Sequence, residues 1–444
     1  MATLKLSEYA NTIRQDIKNT SLFSTYGKVE QIVGMIIEVS GLEANIGDVC
    51  EITIPTERGG FEIAQAEVVG FKGSTTQLMP YEDVDGIGYG CKVFNTEKKL
   101  RIKLSDDLIG RVVDALGRPL DDKGEIKGES LYSINGKAAN PLKRPEIHSP
   151  IELGIKAIDG MITIGKGQRM GIFAGSGVGK STLMGMIARN VSADVNVIAL
   201  VGERGRELVE FLRKDLGEEG AKRSVIVVAT SDTSAMLRNK CALTATTIAE
   251  YFRDQGKDVL LMMDSLTRFC MAQREIGLST GEPPVARGYP PSIYASLPKL
   301  LERCGNFENG SITGIYTVLV EGDDTNEPIS DTVRGIIDGH IILSRKIATK
   351  NHYPAIDVLG SLSRLMSSIA TKEQKAAAGK IRNLMSTFNE NQDLISIGAY
   401  KAGSNPALDE AIRKMPAINA FLQQAVNERF SSDETKALMQ QIVD

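Results

Sequence analysis

The sequence has no tryptophan, three histidines and five cysteines in 444 residues, and each shortage removes a class of function. His148, His340 and His352 lack the close spacing of metal ligands, so structural or surface roles are expected for them. Cys50, Cys91, Cys241, Cys270 and Cys304 are odd in number and far apart, which argues against a zinc site or a redox dithiol. Reduced thiols in a cytosol fit this pattern best. No run of about eighteen apolar residues suggests a membrane span, and "MATLKLSEYANTIRQDIK" lacks the apolar centre of a secretion signal. A formal charge of −4 argues against a chain devoted to a polyanion.

What remains is the composition of a globular protein, 42% hydrophobic and 24% charged with 43 glycines, long enough for about two to three domains. Leu6, Tyr9, Ala10, Ile13 and Ile17 recur at helical spacing. They predict one amphipathic helix within 1–26, whose stripe packs on its own protein or docks on a partner. Over 27–96 the segments "QIVGMIIEV", "DVCEITI", "FEIAQAEVVGF" and "CKVFN", broken by Gly, Pro and Asp turns, predict a small β-barrel. Many such barrels bind single-stranded nucleic acid. Here Lys28 to Asn95 holds four basic residues against eleven acidic ones and would repel a phosphate backbone, so no nucleic-acid partner is expected.

Residues 96–150 read as turn-rich connectors, including "DALGRPLDDKGEI". From Gly171 onward apolar runs ("GIFA", "VNVIALV", "SVIVVA", "VLLMMD", "GIYTVLVEG", "GHIILS") alternate with helical patterns. Strands apolar on both faces and separated by helices predict a mostly parallel sheet covered on both sides, an α/β domain over 97–370. After it, "KEQKAAAGKIRNLMSTFNENQDLISI" and "PALDEAIRKMPAINAFLQQAVNERF" predict a helical C-terminal domain, 371–444, with Gly and Pro only in its turns.

One stretch, "GIFAGSGVGKSTLMGMIARN", concentrates glycine and charge where a strand turns into a helix. Glycines at such a turn let successive N–H groups face one anion, and phosphate is that anion. Ala174 to Ser181 has phosphate-loop spacing, in which Lys180 reaches the outer phosphates and Ser181 offers its hydroxyl to Mg²⁺. Ala174 replaces the usual opening glycine. Gly175, Ser176, Gly177, Val178, Gly179, Lys180, Ser181 and Thr182 are therefore the expected nucleotide-binding residues. A dinucleotide fingerprint would need glycine where Lys180 stands. Asp264 closes "VLLMMD" and would emerge at the carboxyl edge of the sheet, as an anchor for Mg²⁺ or as a helix cap. Glu203 ends "VNVIALVGE" and either positions an attacking water or pairs with Arg204 or Arg206 to shape the turn.

"ALVGERGRELVEFL", "DVLLMMDSLTRFCMAQREIGL", "EPPVARGYPPSIYASLPKLLERCG", "GSITGIYTVLVEGDD" and "DGHIILSRKIA", with the phosphate loop, resemble the flagellum-specific type III export ATPases. Virulence type III secretion ATPases are near relatives and the rotary ATP synthase catalytic subunit a farther one. The resemblance implies a barrel, a RecA-like P-loop domain and a helical C-terminal domain, assembled as a ring of six with ATP between subunits. It implies that Glu203 activates the water with support from Arg204, and that Arg268 of "DSLTRF" is a further active-site arginine. Arg364 of "GSLSR" would be a finger reaching the neighbouring subunit's γ-phosphate, and Tyr353 of "HYPAID" would pack on adenine. The implied partners are a stalk-like regulator on the N-terminal helix, export chaperones and substrates on the C-terminal helices, and a membrane export gate. The protein would then be cytoplasmic and peripheral to that gate. Other readings are a rotary synthase subunit, an RNA-binding ring translocase and a nucleotide-binding scaffold.

Overall fold

The structure is a computed structural model that describes residues 25–56, 58–82, 85–128, 130–136, 138–320 and 327–444. The expected N-terminal amphipathic helix lies outside the described residues, as does the end of "GSITGIYTVLVEGDD" beyond Val320. Contacts gather the chain into two compact units, one ending at Leu100 and the other Arg101–Asp444.

In the first unit six strands close a barrel in the order β1-β2-β5-β4-β3-β6. They are β1 (Gly27–Val33), β2 (Ile36–Ser40), β3 (Asp48–Pro55), β4 (Phe61–Lys72), β5 (Thr75–Pro80) and β6 (Lys92–Lys99). Alternation sends Val29, Ile37, Val39, Ile52, Val68, Leu78 and Val93 into one core. "QIVGMIIEV" is two strands, because Gly34 takes a left-handed φ of 60° and turns β1 back on β2. "TTQLMP" is a strand that the pattern did not announce.

The second unit opens with β7 (Arg101–Leu104), β8 (Val112–Asp114) and β9 (Ser130–Ser133), β7 pairing with β9. So the connector region is not merely turns: β8 adds to the main sheet beside β12. That sheet runs β17-β16-β10-β15-β13-β11-β12-β8. Its members are β10 (Arg169–Ala174), β11 (Val195–Glu203), β12 (Ser224–Thr230), β13 (Asp258–Asp264), β15 (Ser311–Leu319), β16 (Gly339–Leu343) and β17 (Ile356–Ser363), with the short β14 (Gly305–Asn306) on β15. All pairs along the main path are parallel except β16 with β17.

The C-terminal helices share one hydrophobic core with this sheet. Ile381, Leu384, Ile418, Phe421 and Met439 cluster with Ile172, Leu183, Met184 and Ile198, each such buried side chain contributing roughly 1.5–3 kcal/mol. Their boundaries differ from the expectation in three ways. The first predicted helix breaks at Asn391, between Lys372–Glu390 and Gln392–Ser396. Pro416 lies inside the helix Pro406–Leu422 instead of in a turn. A further helix, Ser432–Val443, starts at a capping box made by Ser431 and Glu434. Among the described residues no helix is long and apolar enough to cross a membrane.

Candidate nucleotide site

The phosphate loop hangs between β10 and the helix Lys180–Asn190. Gly177 and Gly179 hold φ of 77° and 89°, a region costly for residues with a Cβ, and a side chain on Gly177 would meet nothing within 4 Å. Val178 is 1% exposed and pins the loop to the core, while Ser176, Gly177 and Ser181 face out. The first-turn N–H groups of the helix have no intrahelical acceptors and carry its positive dipole end. Thr182 braces the loop through a hydrogen bond to Asp215.

Parallel register brings three charges to this edge. β11 pairs Leu200 with Asp264 of β13, so Glu203 and Asp264 leave neighbouring strand ends together. The Lys180 ammonium lies 2.5 Å from Asp264 Oδ1 and 3.6 Å from Glu203 Oε1. Burial works against its charge, yet Asp264 and then Glu203 hold Lys180 above the ordinary lysine range. Glu203 is pushed up to about 7, first by burial and then by the like charge of Asp264, against the pull of Lys180. Asp264, 4% exposed, also accepts on Oδ1 a 2.7 Å bond from Thr317, a fully buried hydroxyl on β15 that sequence reasoning missed. Glu207, one turn beyond Glu203, also hydrogen-bonds it; its only sequence signal is the acid four residues on.

Arg268 lies in the helix Leu266–Ser279, capped by Ser265. Its Cβ is 3.2 Å from where a Cβ on Gly202 would stand, so the glycine before Glu203 admits the arginine. Arg268 Nε is buried without a hydrogen-bond partner, a cost that an incoming anion would relieve. Tyr353, 43% exposed, has ring carbons 3.5 Å from the same construction at Gly179, and its carbonyl is held by the Gln424 N–H at 3.0 Å.

Two expected residues lie elsewhere. Arg204 is not in the cradle: its side chain is 73% exposed and pairs with Glu207 at 3.1 Å, because the next helix begins at Gly205 and turns it outward. Arg364 follows β17, whose Ser363 pairs with Gly339 at the amino end of β16. β16 runs parallel to β10, so Arg364 stands about 13 Å back from the carboxyl edge. There its guanidinium donates to the Arg334 carbonyl at 3.3 Å and cannot serve its own chain's loop.

These residues fit a nucleoside triphosphate with Mg²⁺. The open glycine turn and the Lys180 ammonium suit phosphate oxygens. The Ser181 hydroxyl and the Asp264 carboxylate are hard oxygen donors of the kind that share Mg²⁺ with phosphates.

Residues 154–363 match the ATP synthase alpha/beta family, nucleotide-binding domain, residues 29–97 the beta-barrel domain of that family, and residues 370–441 the T3SS EscN ATPase C-terminal domain. The flagellum-specific ATP synthase of Bacillus subtilis (strain 168) is 54% identical over 95% of this chain and 96% of its own. The type 3 secretion system ATPase of Xanthomonas euvesicatoria is 48% identical over 98% and 97%. The assembled ATPase EscN from the enteropathogenic E. coli type III secretion system superposes with a TM-score of 0.89 at 45% identity, over 94% of this chain and 100% of that one. With its barrel, mostly parallel nucleotide-binding sheet and helical C-terminal region in the same order, the chain belongs to the family of flagellum-specific and type III secretion ATPases.

Proposed function

We propose that the chain hydrolyses ATP with Mg²⁺ as one subunit of a homohexameric ring that assists protein export through a flagellar type III apparatus. The observation that carries this reading is Lys180, gripped between Asp264 and Glu203 at the mouth of an open glycine turn. The loop amides and Lys180 hold the outer phosphates, and Arg268 adds charge beside Glu203. Ser181 and Asp264 would hold Mg²⁺, which neutralises phosphate charge when bound. Glu203, with an affinity for protons tuned near 7, orients the attacking water and takes up its proton. Tyr353 packs on the base. Arg364 completes the site of the neighbouring subunit and steadies charge spreading in the transition state.

Support for the assembly comes from the assembled EscN and from EscN in complex with its central stalk EscO, which superposes with a TM-score of 0.87 at 44% identity over 94% of this chain and 100% of that one. We extend this to a stalk-like partner at the N-terminal segment, and to export chaperones and substrates at the C-terminal helices. The protein is then cytoplasmic and peripheral to the export gate. The test is ATPase rate against protein concentration for the wild type and Lys180→Ala. The wild-type specific rate should rise with concentration while the variant stays at background; a variant near the wild-type rate refutes the site.

A further inference from the structure

Thr317 sits at the middle of the sheet, on β15 between the strand that feeds the phosphate loop and the strand that ends in Asp264. It is 0% exposed in a strand whose neighbours Ile315, Tyr316 and Val318 are buried and bulky. A hydroxyl so deeply buried must donate to something. Two acceptors are in range, the Met263 carbonyl at 3.4 Å and Asp264 Oδ1 at 2.7 Å, and the distances assign the bond to the carboxylate. Asp264 Oδ1 thus receives both Lys180 and Thr317, whereas Oδ2 receives no donor from the described residues.

We infer that Thr317 is the positioning residue for the Mg²⁺ anchor. The inference rests on the reading of Asp264 as that anchor. Lys180 has two competing acceptors, the carboxylates of its own chain and the phosphates of the substrate. When its ammonium turns to a phosphate, Thr317 alone still holds Oδ1. A carboxylate tethered by one oxygen keeps its plane and leaves the other free for a cation. Without that tether it turns about its last torsion, which has a broad and shallow preference. Groups that orient a metal ligand in this way typically change metal affinity about 10- to 100-fold when removed.

The test uses the full-length protein and binding of fluorescent N-methylanthraniloyl-ADP, titrated with Mg²⁺ and repeated in EDTA. Thr317→Val, which keeps shape and removes the hydroxyl, should raise the Mg²⁺ concentration for half-maximal enhancement of binding at least about tenfold. Affinity in EDTA should stay near the wild-type value, which also shows that the variant is folded. Thr317→Ser should restore the wild-type midpoint, and Thr317→Ala gives the same reading as valine if valine fails to fold. A wild-type midpoint in both hydroxyl-free variants, with the midpoint shifted in Asp264→Asn, overturns the role of Thr317. A wild-type midpoint in Asp264→Asn itself overturns the reading of Asp264 instead.

Discussion

The two edges of the central sheet handle charge in opposite ways. At the carboxyl edge Lys180, Glu203 and Asp264 are largely buried and answer one another within 3.6 Å. At the amino edge Arg364 is exposed and donates to the backbone carbonyl of Arg334. Buried charges without partners are expensive, so the first set has been brought together as a cradle that is electrically satisfied before any ligand arrives. An exposed arginine costs little to keep waiting. On the proposed reading the chain carries most of a site at one edge and, at the other, a cation that its own site cannot use.

Removing that cation is the sharpest way to break the contrast. Arg364→Ala should lower turnover about 10³- to 10⁵-fold while MgATP binding to the isolated chain stays within about twofold, as read by a fluorescent nucleotide. Mixing Arg364→Ala with Lys180→Ala subunits should recover part of the activity, because one supplies an intact cradle and the other an intact arginine. Full activity of Arg364→Ala alone would reduce the amino edge to surface.

Within the cradle, Glu203 is pushed up to about 7, chiefly by burial. Glu203→Gln should bind MgATP and lose about 10²- to 10⁴-fold in turnover. The raised value gives the pH dependence its sign. A base must be deprotonated, so activity should rise through about 7 and fall roughly tenfold per unit below it. For stability the sign is reversed: a carboxylate raised from 4.5 to about 7 favours the folded state below 4.5, and that contribution is lost as pH rises through 7. A pH–rate profile with its acid limb near 4.5 would remove Glu203 from the proton path.

How much of this was legible depends on how local the signal is. The glycine turn, Lys180 and Asp264 lie in contiguous runs with fixed spacing, so their places followed from the chain alone. β8 is three residues long, too short for any period to show, and β5 places Thr76 and Gln77 in a barrel wall where a pattern of apolar residues would not find them. Thr317 is one hydroxyl in an apolar strand, and its meaning exists only once β13 and β15 are paired in register. Arg204 misleads in the opposite direction, since a motif fixes its neighbours in sequence and not the direction in which the next helix turns it.

Tyr353 sharpens the picture of the cradle at the side of the base. Its ring stands against Gly179 and the residue as a whole is 43% exposed, so the proposed reading seats the adenine on it. Aromatic stacking of about 0.5–1.5 kcal/mol beyond area burial predicts a KM for ATP raised roughly three- to tenfold in Tyr353→Ala. The kcat should be little changed and the affinity for tripolyphosphate unaltered. Equal losses for ATP and tripolyphosphate would mean that the ring props the loop instead of meeting a base.

Arg204 supplies the smallest effect and the most direct check on the carboxyl edge. Its pair with Glu207 is formed between side chains 73% and 50% exposed, and exposed pairs are worth about 0.2–1 kcal/mol. Glu207 in turn touches Glu203, where its hydrogen bond helps keep the glutamate protonated. Arg204→Ala should therefore leave the rate within about twofold and move only the acid limb of the pH profile, upward, because Glu207 loses a cation that shares its charge. A loss beyond about tenfold with the limb unmoved would show that Arg204 turns inward to the phosphates during turnover. The cradle would then also depend on a cation that waits in solvent, and the contrast between the two edges would fail.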